Sequence, residues 1–374
     1  MLACLLFGGT PKEKYNTCIR GSINVLLLGD PGIAKSQLLK FVAKVSPIGV
    51  YTSGKGSSAA GLTASVLRDK QGFYLEGGAL VLADEGVCCI DEFDKMNYDD
   101  QVAIHEAMEQ QTISISKAGI TTVLNSRTSV LAAANPVFGR YDEFKTPGDN
   151  LSFGSTILSR FDAIFLLKDA ADSDADRAMA KHVLHVHTSE PGGRDGVPGQ
   201  EVLRRFVQYA RQKFRPALQR DSGNKLSKFY VETRKKVRSV EGLMKEKSAI
   251  PITVRQLEAI IRISESLAKM SLRHDVLEED VDEAIRLFTV STMNAVAQGH
   301  YCEGMVRTDF QSIIEQISDE VKRILPIGSA KPYNSILNHC AGYEPGMVAK
   351  AVDFLVKTGK LVLRDNSRIV VRVP

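Results

Sequence analysis

No apolar run in this chain approaches the 18 or so residues that a membrane-crossing helix needs, which excludes a helical membrane span. The first nine residues, Met1 to Gly9, are apolar but lack a basic leader. They read as the tail of a helix whose beginning is missing rather than as a signal peptide. No two cysteines are spaced C-x-x-C, so a zinc module is not indicated. The six that are present are Cys4, Cys18, Cys88, Cys89, Cys302 and Cys340. Cys88 and Cys89 lie inside an apolar run, where cysteine behaves as a small hydrophobe, and a reduced, intracellular protein is the natural reading. Charge of one sign is also lacking: 48 Lys and Arg stand against 44 Asp and Glu, a net of +4. So mild a balance announces no nucleic-acid partner by itself. There is no internal repeat and no low-complexity tract.

What is present suits a multidomain globular protein. The 374 residues are enough for two or three domains at about 150 residues each. With 44% hydrophobic and 25% charged residues, a wholly disordered or fibrous chain is excluded. The charge is unevenly spread. Residues 201–250 carry 14 Lys and Arg and 5 Asp and Glu, a net of +9, leaving −5 for the rest. The segment, which includes Arg204, Arg205 and the run Arg234 to Arg238, reads first as a solvated face of helices and second as a binding patch.

Residues 1–172 read as an α/β unit. The apolar runs Ile23–Leu28, Gly49–Tyr51, Val87–Ile90, Ser129–Ala134 and Ala163–Leu167 are short and bounded by turns, as in buried parallel strands. Helical patterns such as Ser36–Val45 and Asp99–Gln111 alternate with them, which implies a parallel sheet with helices on both faces. Residues 170–200 form a break with a Gly- and Pro-rich stretch at 190–200. The second unit, 173–300, looks all-helical, with Thr253 and Asp275 as caps for the helical patterns Val254–Met270 and Glu278–Val296. The third, 307–374, reads as three helices (Phe310–Ile324, Tyr333–Cys340, Pro345–Thr358) and a hairpin (Lys360–Leu363, Ile369–Val373), a winged-helix pattern.

The strongest local signal is Gly29-Asp30-Pro31-Gly32-Ile33-Ala34-Lys35-Ser36, between a strand pattern and a helix pattern. A phosphate-binding loop needs that context: backbone N–H groups at a helix start wrap the phosphates. Lys35 is then placed to reach the β and γ oxygens and Ser36 to ligate Mg²⁺. Ala34 stands where the strict pattern has glycine. The second signal is Val87-Cys88-Cys89-Ile90-Asp91-Glu92, a buried strand tipped by two acids that need a cation or polar partner. Asp91 is placed to hold the magnesium, and Glu92 to orient and deprotonate an attacking water. A third strand, ending in Asn135, offers an amide to position that water. Arg160, in Ser159-Arg160-Phe161-Asp162, and Arg255, in Thr253-Val254-Arg255-Gln256, each read alone as a surface ion pair. Their order behind the loop and the acidic strand raises them. His105, beside Ile104 and Met108, reads as a packing residue.

Taken together, GDPGIAKS, VCCIDEFDKM, AAAN, SRFD and TVRQLE resemble an AAA+ ATPase, and more narrowly the minichromosome maintenance (MCM) family of replicative helicase subunits. Ile90–Met96, Leu158–Asp162 and His105–Ile120 are distinctive of that family, and Ser46–Val66 is most similar to its fifth eukaryotic subunit type. The resemblance implies a P-loop NTPase core with hairpin insertions, an α-helical lid and a winged-helix C-terminal domain. It also implies ATP and Mg²⁺ as cofactors. Lys35, Ser36, Asp91, Glu92 and Asn135 would act on this subunit's own nucleotide. Arg160, as arginine finger, and Arg255, as second sensor, would reach a neighbour's. The active unit would be a heterohexameric ring with the second and third subunit types as neighbours. Single- or double-stranded DNA would lie in its channel, loading and activation factors would be further partners, and the setting would be the nucleus.

Two insertions fit DNA contact by the same resemblance. Thr112 to Thr121 alternates and turns at Lys117-Ala118-Gly119, a hairpin with a basic tip. Lys117 alone reads as an exposed turn lysine; in the family such a hairpin lines the channel, so Lys117 would meet phosphate. Residues 63–82, with Arg68, Asp69, Lys70 and Phe73, resemble a second channel hairpin. The family's N-terminal half, with its oligonucleotide-binding fold and usual zinc module, has no counterpart here, which reads as a fragment. Glu85 stands where the family usually has glycine.

Two function classes follow. One is a motor subunit, with ATP hydrolysis at subunit boundaries driving DNA translocation; the other is an ATP-binding assembly or gate module with little turnover. An intact Glu92 favours the first. A sequence-specific regulator is disfavoured, because the expected recognition helix Pro345–Thr358 carries only Lys350 and Lys357 as cations.

Overall fold

The computed structural model describes residues 1–14, 17–56, 59–69, 72–117, 120–136, 155–167, 173–188, 199–244 and 253–293. It also describes residues 320, 321, 323, 325, 329–332, 352, 355, 361–364 and 369–372. The chain divides into two compact units: Met1–Tyr230 with Ala249–Ala295, and Val231–Ser248 with Val296–Pro374.

The first unit is built on a five-stranded parallel sheet. Its strands are β1 (Val25–Gly29), β2 (Gly49–Ser53), β3 (Val87–Asp91), β4 (Ser129–Ala134) and β5 (Ala163–Leu167). They are ordered β5-β1-β4-β3-β2. All five apolar runs singled out in the sequence are these strands. β1 and β4 are buried at every position and β3 at all but its last, because helices cover both faces and water reaches neither. The order has a functional consequence. β4 lies between β1 and β3, in register from Leu131 opposite Val25 to Ala134 opposite Leu28. The loop after β1, the acids ending β3 and the amide following β4 therefore emerge at the same carboxyl edge, where ligands of open α/β sheets bind.

Among the described residues the α-helices of six or more residues are α1 (Leu2–Phe7), α2 (Lys35–Val45), α3 (Tyr98–Gln110), α4 (Ser173–Thr188), α5 (Gln200–Lys213), α6 (Arg220–Met244), α7 (Val254–Met270) and α8 (Glu278–Phe288). α4 occupies much of what reads as a break at 170–200. Asp174 and Asp176 in its first turn suit the positive end of the helix dipole, so an acidic run that looks like a linker is a helix start. Thr253 caps α7 as expected, in a capping box with Gln256. Asp275 does not cap α8. It pairs in a two-residue ladder with Ala217, and the carboxylate of Asp280 accepts the Leu277 N–H instead.

Two antiparallel hairpins project from the unit, Ala64–Asp69 with Gly72–Gly77 and Thr112–Lys117 with Ile120–Asn125. Both are insertions expected from the sequence, the first by its family resemblance alone. The second tip, Ala118 and Gly119, lies outside the described residues, as do the side chains of Lys117, Asp69 and Phe73 and the whole of Lys70.

α7 has an unusual buried face. Arg262, Glu265 and Lys269 are all under 5% exposed, which is rare for charged groups unless each is paired. Lys269 Nζ donates to the Gly9 carbonyl at 3.0 Å and to Phe7 O at 3.4 Å, and Ser266 Oγ to Cys4 O at 2.9 Å. Glu265 accepts from the Thr10 N–H at 2.9 Å and from Lys12 Nζ at 2.5 Å. The N-terminal segment is thus clasped by α7. Burial brings the Lys269 ammonium down to about 8, with Arg211 and Arg215 adding to the shift and Glu265 opposing it.

In the second unit a three-stranded antiparallel sheet pairs Ile369–Arg372 with Leu361–Arg364 on one side and Ala330–Pro332 on the other. The expected hairpin is there, with one more strand than the sequence pattern suggested. Residues 320, 321, 323, 352 and 355 are helical; the remainder of the three expected helices lies outside the described residues.

Candidate functional site

A cavity of about 350 Å³ opens at the carboxyl edge of the sheet. It is lined by Pro31 to Gln37, Asp91, Glu92, Ala133, Ala134 and Asn135. Gly29 and Asp30 lead into it from the end of β1. The loop, the acids and the amide that the sequence placed in three separate segments meet here.

The loop's shape depends on one backbone torsion. Ala34, directly before α2, sits at φ 58°, ψ 24°, the left-handed region that costs an L-residue about 1–2 kcal/mol. That is why the strict pattern prefers glycine there; a methyl group is the smallest side chain that pays the strain. Lys35 is 7% exposed, and its Nζ donates to the carbonyls of Gly29 and Asp30, both at 2.6 Å. Burial lowers its pKa, while Asp30, Asp91 and Asp94 pull it back up. The ammonium is therefore desolvated and anchored on its own loop, facing a pocket with carboxylates.

Asp91 is oriented from two sides. The Glu92 N–H donates to one oxygen at 3.0 Å and the Tyr51 hydroxyl to the other at 2.9 Å. In the sequence Tyr51 reads only as part of the apolar run Gly49–Tyr51 and of the stretch Ser46–Val66, with no role at the site. It arrives from β2, the neighbour of β3, and burial together with the hydrogen bond to Asp91 pushes its phenol up to about 12. Glu92 is itself left-handed, φ 50°, which turns its side chain out of the strand direction toward the cavity. Gly54 permits this. An added Cβ would lie 2.5 Å from Glu92 O, and the Gly54 N–H donates to Asp91 O at 2.7 Å. Asn135 is fixed by its backbone N–H, which donates to Asp94 Oδ1 at 3.1 Å. A hydroxyl from Ser36 and a carboxylate from Asp91, both lining the cavity, are hard oxygen donors. They fit a small divalent cation that keeps most of its waters.

Arg160 and Arg255 do not line this cavity. Arg160 Nη2 lies 2.6 Å from Glu109 Oε2, the Arg255 guanidinium pairs with Glu109 Oε1, and Arg255 Nη1 donates to Ser159 Oγ at 3.2 Å. Two residues distant in sequence, one before β5 and one opening α7, are gathered at one carboxylate. Sequence reasoning missed Glu109; its signal was its position at the end of α3, inside the distinctive stretch His105–Ile120. His105, one turn earlier, is partly buried. Burial and then Arg160 lower its pKa, with Glu109 opposing.

Glu85 also has an explanation. It lies at φ 58°, so its position needs the left-handed conformation that glycine adopts most readily. Its side chain pairs with Arg127 at 3.1 Å, and its carbonyl accepts from Arg211 Nη2 at 2.8 Å.

A parallel sheet with a phosphate loop after one strand and paired acids after another, followed by helices, defines an AAA+ P-loop ATPase domain with its lid. The chain belongs to the minichromosome maintenance family. Residues 1–187 match the MCM P-loop domain, 201–292 the MCM AAA-lid domain and 316–372 the MCM5 C-terminal domain. It is 50% identical to the DNA replication licensing factor MCM5 of Arabidopsis thaliana over 378 residues, 99% of this chain and 52% of that protein. To the Xenopus tropicalis and Drosophila melanogaster proteins of the same name it is also 50% identical, over 382 and 384 residues, all of this chain and 52% of each. The chain thus spans about half the length of the curated relatives it matches. Among the described residues, no helix is long and apolar enough to cross a membrane.

Proposed function

We propose that this chain is an ATPase subunit of a ring-shaped replicative DNA helicase acting in the nucleus. ATP held by its P-loop is hydrolysed with help from a neighbouring subunit's arginine, and its own Arg160 and Arg255 serve a neighbour in turn. The observation that carries the reading is the separation of the two sets. Lys35, Ser36, Asp91, Glu92 and Asn135 share one cavity, whereas both arginines are gathered at Glu109 outside it.

In this reading the loop N–H groups and Lys35 hold the triphosphate, Lys35 leaving its loop carbonyls for phosphate oxygens. Asn135 and Glu92 orient a water toward the γ-phosphorus, and Glu92 takes its proton. Mg²⁺ held by Ser36, and by Asp91 through water, would neutralise phosphate charge. An arginine supplied by another chain makes turnover depend on assembly. DNA in the channel, with Lys117 among its contacts, and the second and third subunit types and loading factors as partners belong to the same proposal. So do the domain limits 1–172, 173–300 and 307–374.

Steady-state ATP hydrolysis by the chain alone and titrated with candidate neighbours tests this, with Glu92→Gln as control. Near-silence alone and Glu92-dependent turnover with one neighbour are expected. Turnover by a verified monomer overturns the shared site. Absence of Glu92-dependent turnover with every neighbour favours the assembly module.

A further inference from the structure

Asp162 ends the segment that carries Arg160, and it is 3% exposed. On the core side the segment is held by Asn24. The Asn24 N–H donates to Asp162 Oδ2 at 2.8 Å, the Asp162 N–H donates back to Asn24 O at 2.9 Å, and Asn24 Nδ2 reaches Arg160 O at 3.4 Å. Asn24 Oδ1 in turn accepts from the Val130 N–H in β4 at 3.0 Å. Arg20 adds a cation at 3.0 Å from Asp162 Oδ1.

The lid meets the same oxygen. Arg262 Nη2 lies 2.7 Å from Asp162 Oδ1, with both side chains at most 4% exposed. Arg262 is seven residues beyond Arg255 on α7, two helical turns on the same face. One face of α7 thus touches the 159–162 segment twice, Arg255 at Ser159 and Arg262 at Asp162. The inner contact is buried; the outer one is half-exposed, and long exposed side chains hold no fixed geometry by themselves. Among the described residues Arg262 Nε has no acceptor, so its guanidinium is committed to its carboxylate contacts without being fully satisfied.

We propose that Arg262 is a positioning residue. Through Asp162 it sets the register of the lid helix against the core, and so holds Arg255 beside Arg160 as one unit aimed at a neighbour's nucleotide. This rests on the proposed function, in which those arginines act on another chain's triphosphate.

The test uses the chain assembled with its neighbours and carrying Glu92→Gln, so that its own cavity is silent. Arg262→Gln removes the lid cation while Asp162 keeps Arg20 and Asn24. Turnover at the neighbour's site is expected to fall about 10- to 100-fold in kcat, as for a misplaced catalytic group. Binding of a fluorescent ATP analogue to this chain's own cavity is expected to stay within about two-fold. Arg262→Lys should recover part of the loss. Added to Arg255→Ala, Arg262→Gln should cost nothing more, because it acts through Arg255. Hydrogen exchange at amides 255–258 should rise in Arg262→Gln while that of β1 and β3 is unchanged.

If Arg255→Ala lowers turnover but Arg262→Gln does not, the positioning role is overturned. Equal losses of binding and turnover also overturn it, in favour of a general structural role. If Arg255→Ala is itself silent, the arginine assignment fails. The exchange at 255–258 then decides the positioning role alone: an unchanged rate overturns it and a raised one sustains it. Should Arg262→Gln fail to fold, Asp162→Asn is read by the same criteria.

Discussion

Arg160 Nη2 donates to Glu109 Oε2 at 2.6 Å, so the expected arginine finger is joined to the last turn of α3 rather than to its own chain's phosphate loop. Arg255 joins the other oxygen of the same carboxylate. The ion pairs expected of each arginine read alone are present. Under the proposed function the two arginines would act on another chain's nucleotide. Arg160→Ala in this chain is therefore expected to lower a neighbour's turnover by about 10³-fold, with nucleotide binding to this chain's own cavity unchanged. Hydrolysis in mixed assemblies, with each subunit silenced in turn at its catalytic glutamate, measures this.

Ala34 marks the strained point of the phosphate loop. Ala34→Gly is expected to preserve nucleotide binding. Ala34→Val puts a β-branched side chain at a positive φ and is expected to weaken binding about ten-fold, the equivalent of about 1.4 kcal/mol of added strain. Titration with a fluorescent nucleotide analogue separates the two variants.

Gly54→Ala sets a methyl group against Glu92 O and the Met96 side chain, at 2.5 and 2.7 Å in the present geometry. Glu92 must move while the loop around Lys35 does not. Turnover in the assembled complex is expected to fall about ten-fold or more, with binding retained. Comparing kcat with nucleotide affinity checks it; a loss of affinity alone counts against this reading of Gly54.

His105 supplies a pH dependence. Burial and Arg160 hold its imidazole below the ordinary value of 6.5, against the pull of Glu109. The unfolded chain then takes up the proton first as pH falls. The stability from a neutral His105 is present above pH 6.5 and is lost as pH drops toward the lower folded value. The stability gap between the wild type and His105→Gln, measured by denaturant unfolding, is expected to narrow from pH 7.5 to pH 5.

The hairpin at 64–77 was expected from the family resemblance. The five strands of the sheet, the loop Gly29–Ser36, the acids Asp91 and Glu92 and the hairpin that starts at Thr112 were legible in the sequence, each from a local pattern: an apolar run of strand length, a turn chemistry, a helix start. It misjudged α4, because acidic residues at a helix start and in a linker look alike before the chain is folded. It assigned the α8 cap to Asp275 when Asp280 was nearer the open N–H. Tertiary structure alone decided that β4 inserts between β1 and β3 and so brings Asn135 to the phosphate loop. It alone decided that Tyr51 donates to Asp91, that Glu109 gathers Arg160 with Arg255, and that Arg262 reaches Asp162. These contacts join residues from 40 to 146 positions apart in sequence. No local pattern encodes a partner that far along the chain; burial of the apolar sheet faces brings the partners together, and charged groups carried inward with them are then held in opposite-charge pairs, because burying a charge unpaired is costly.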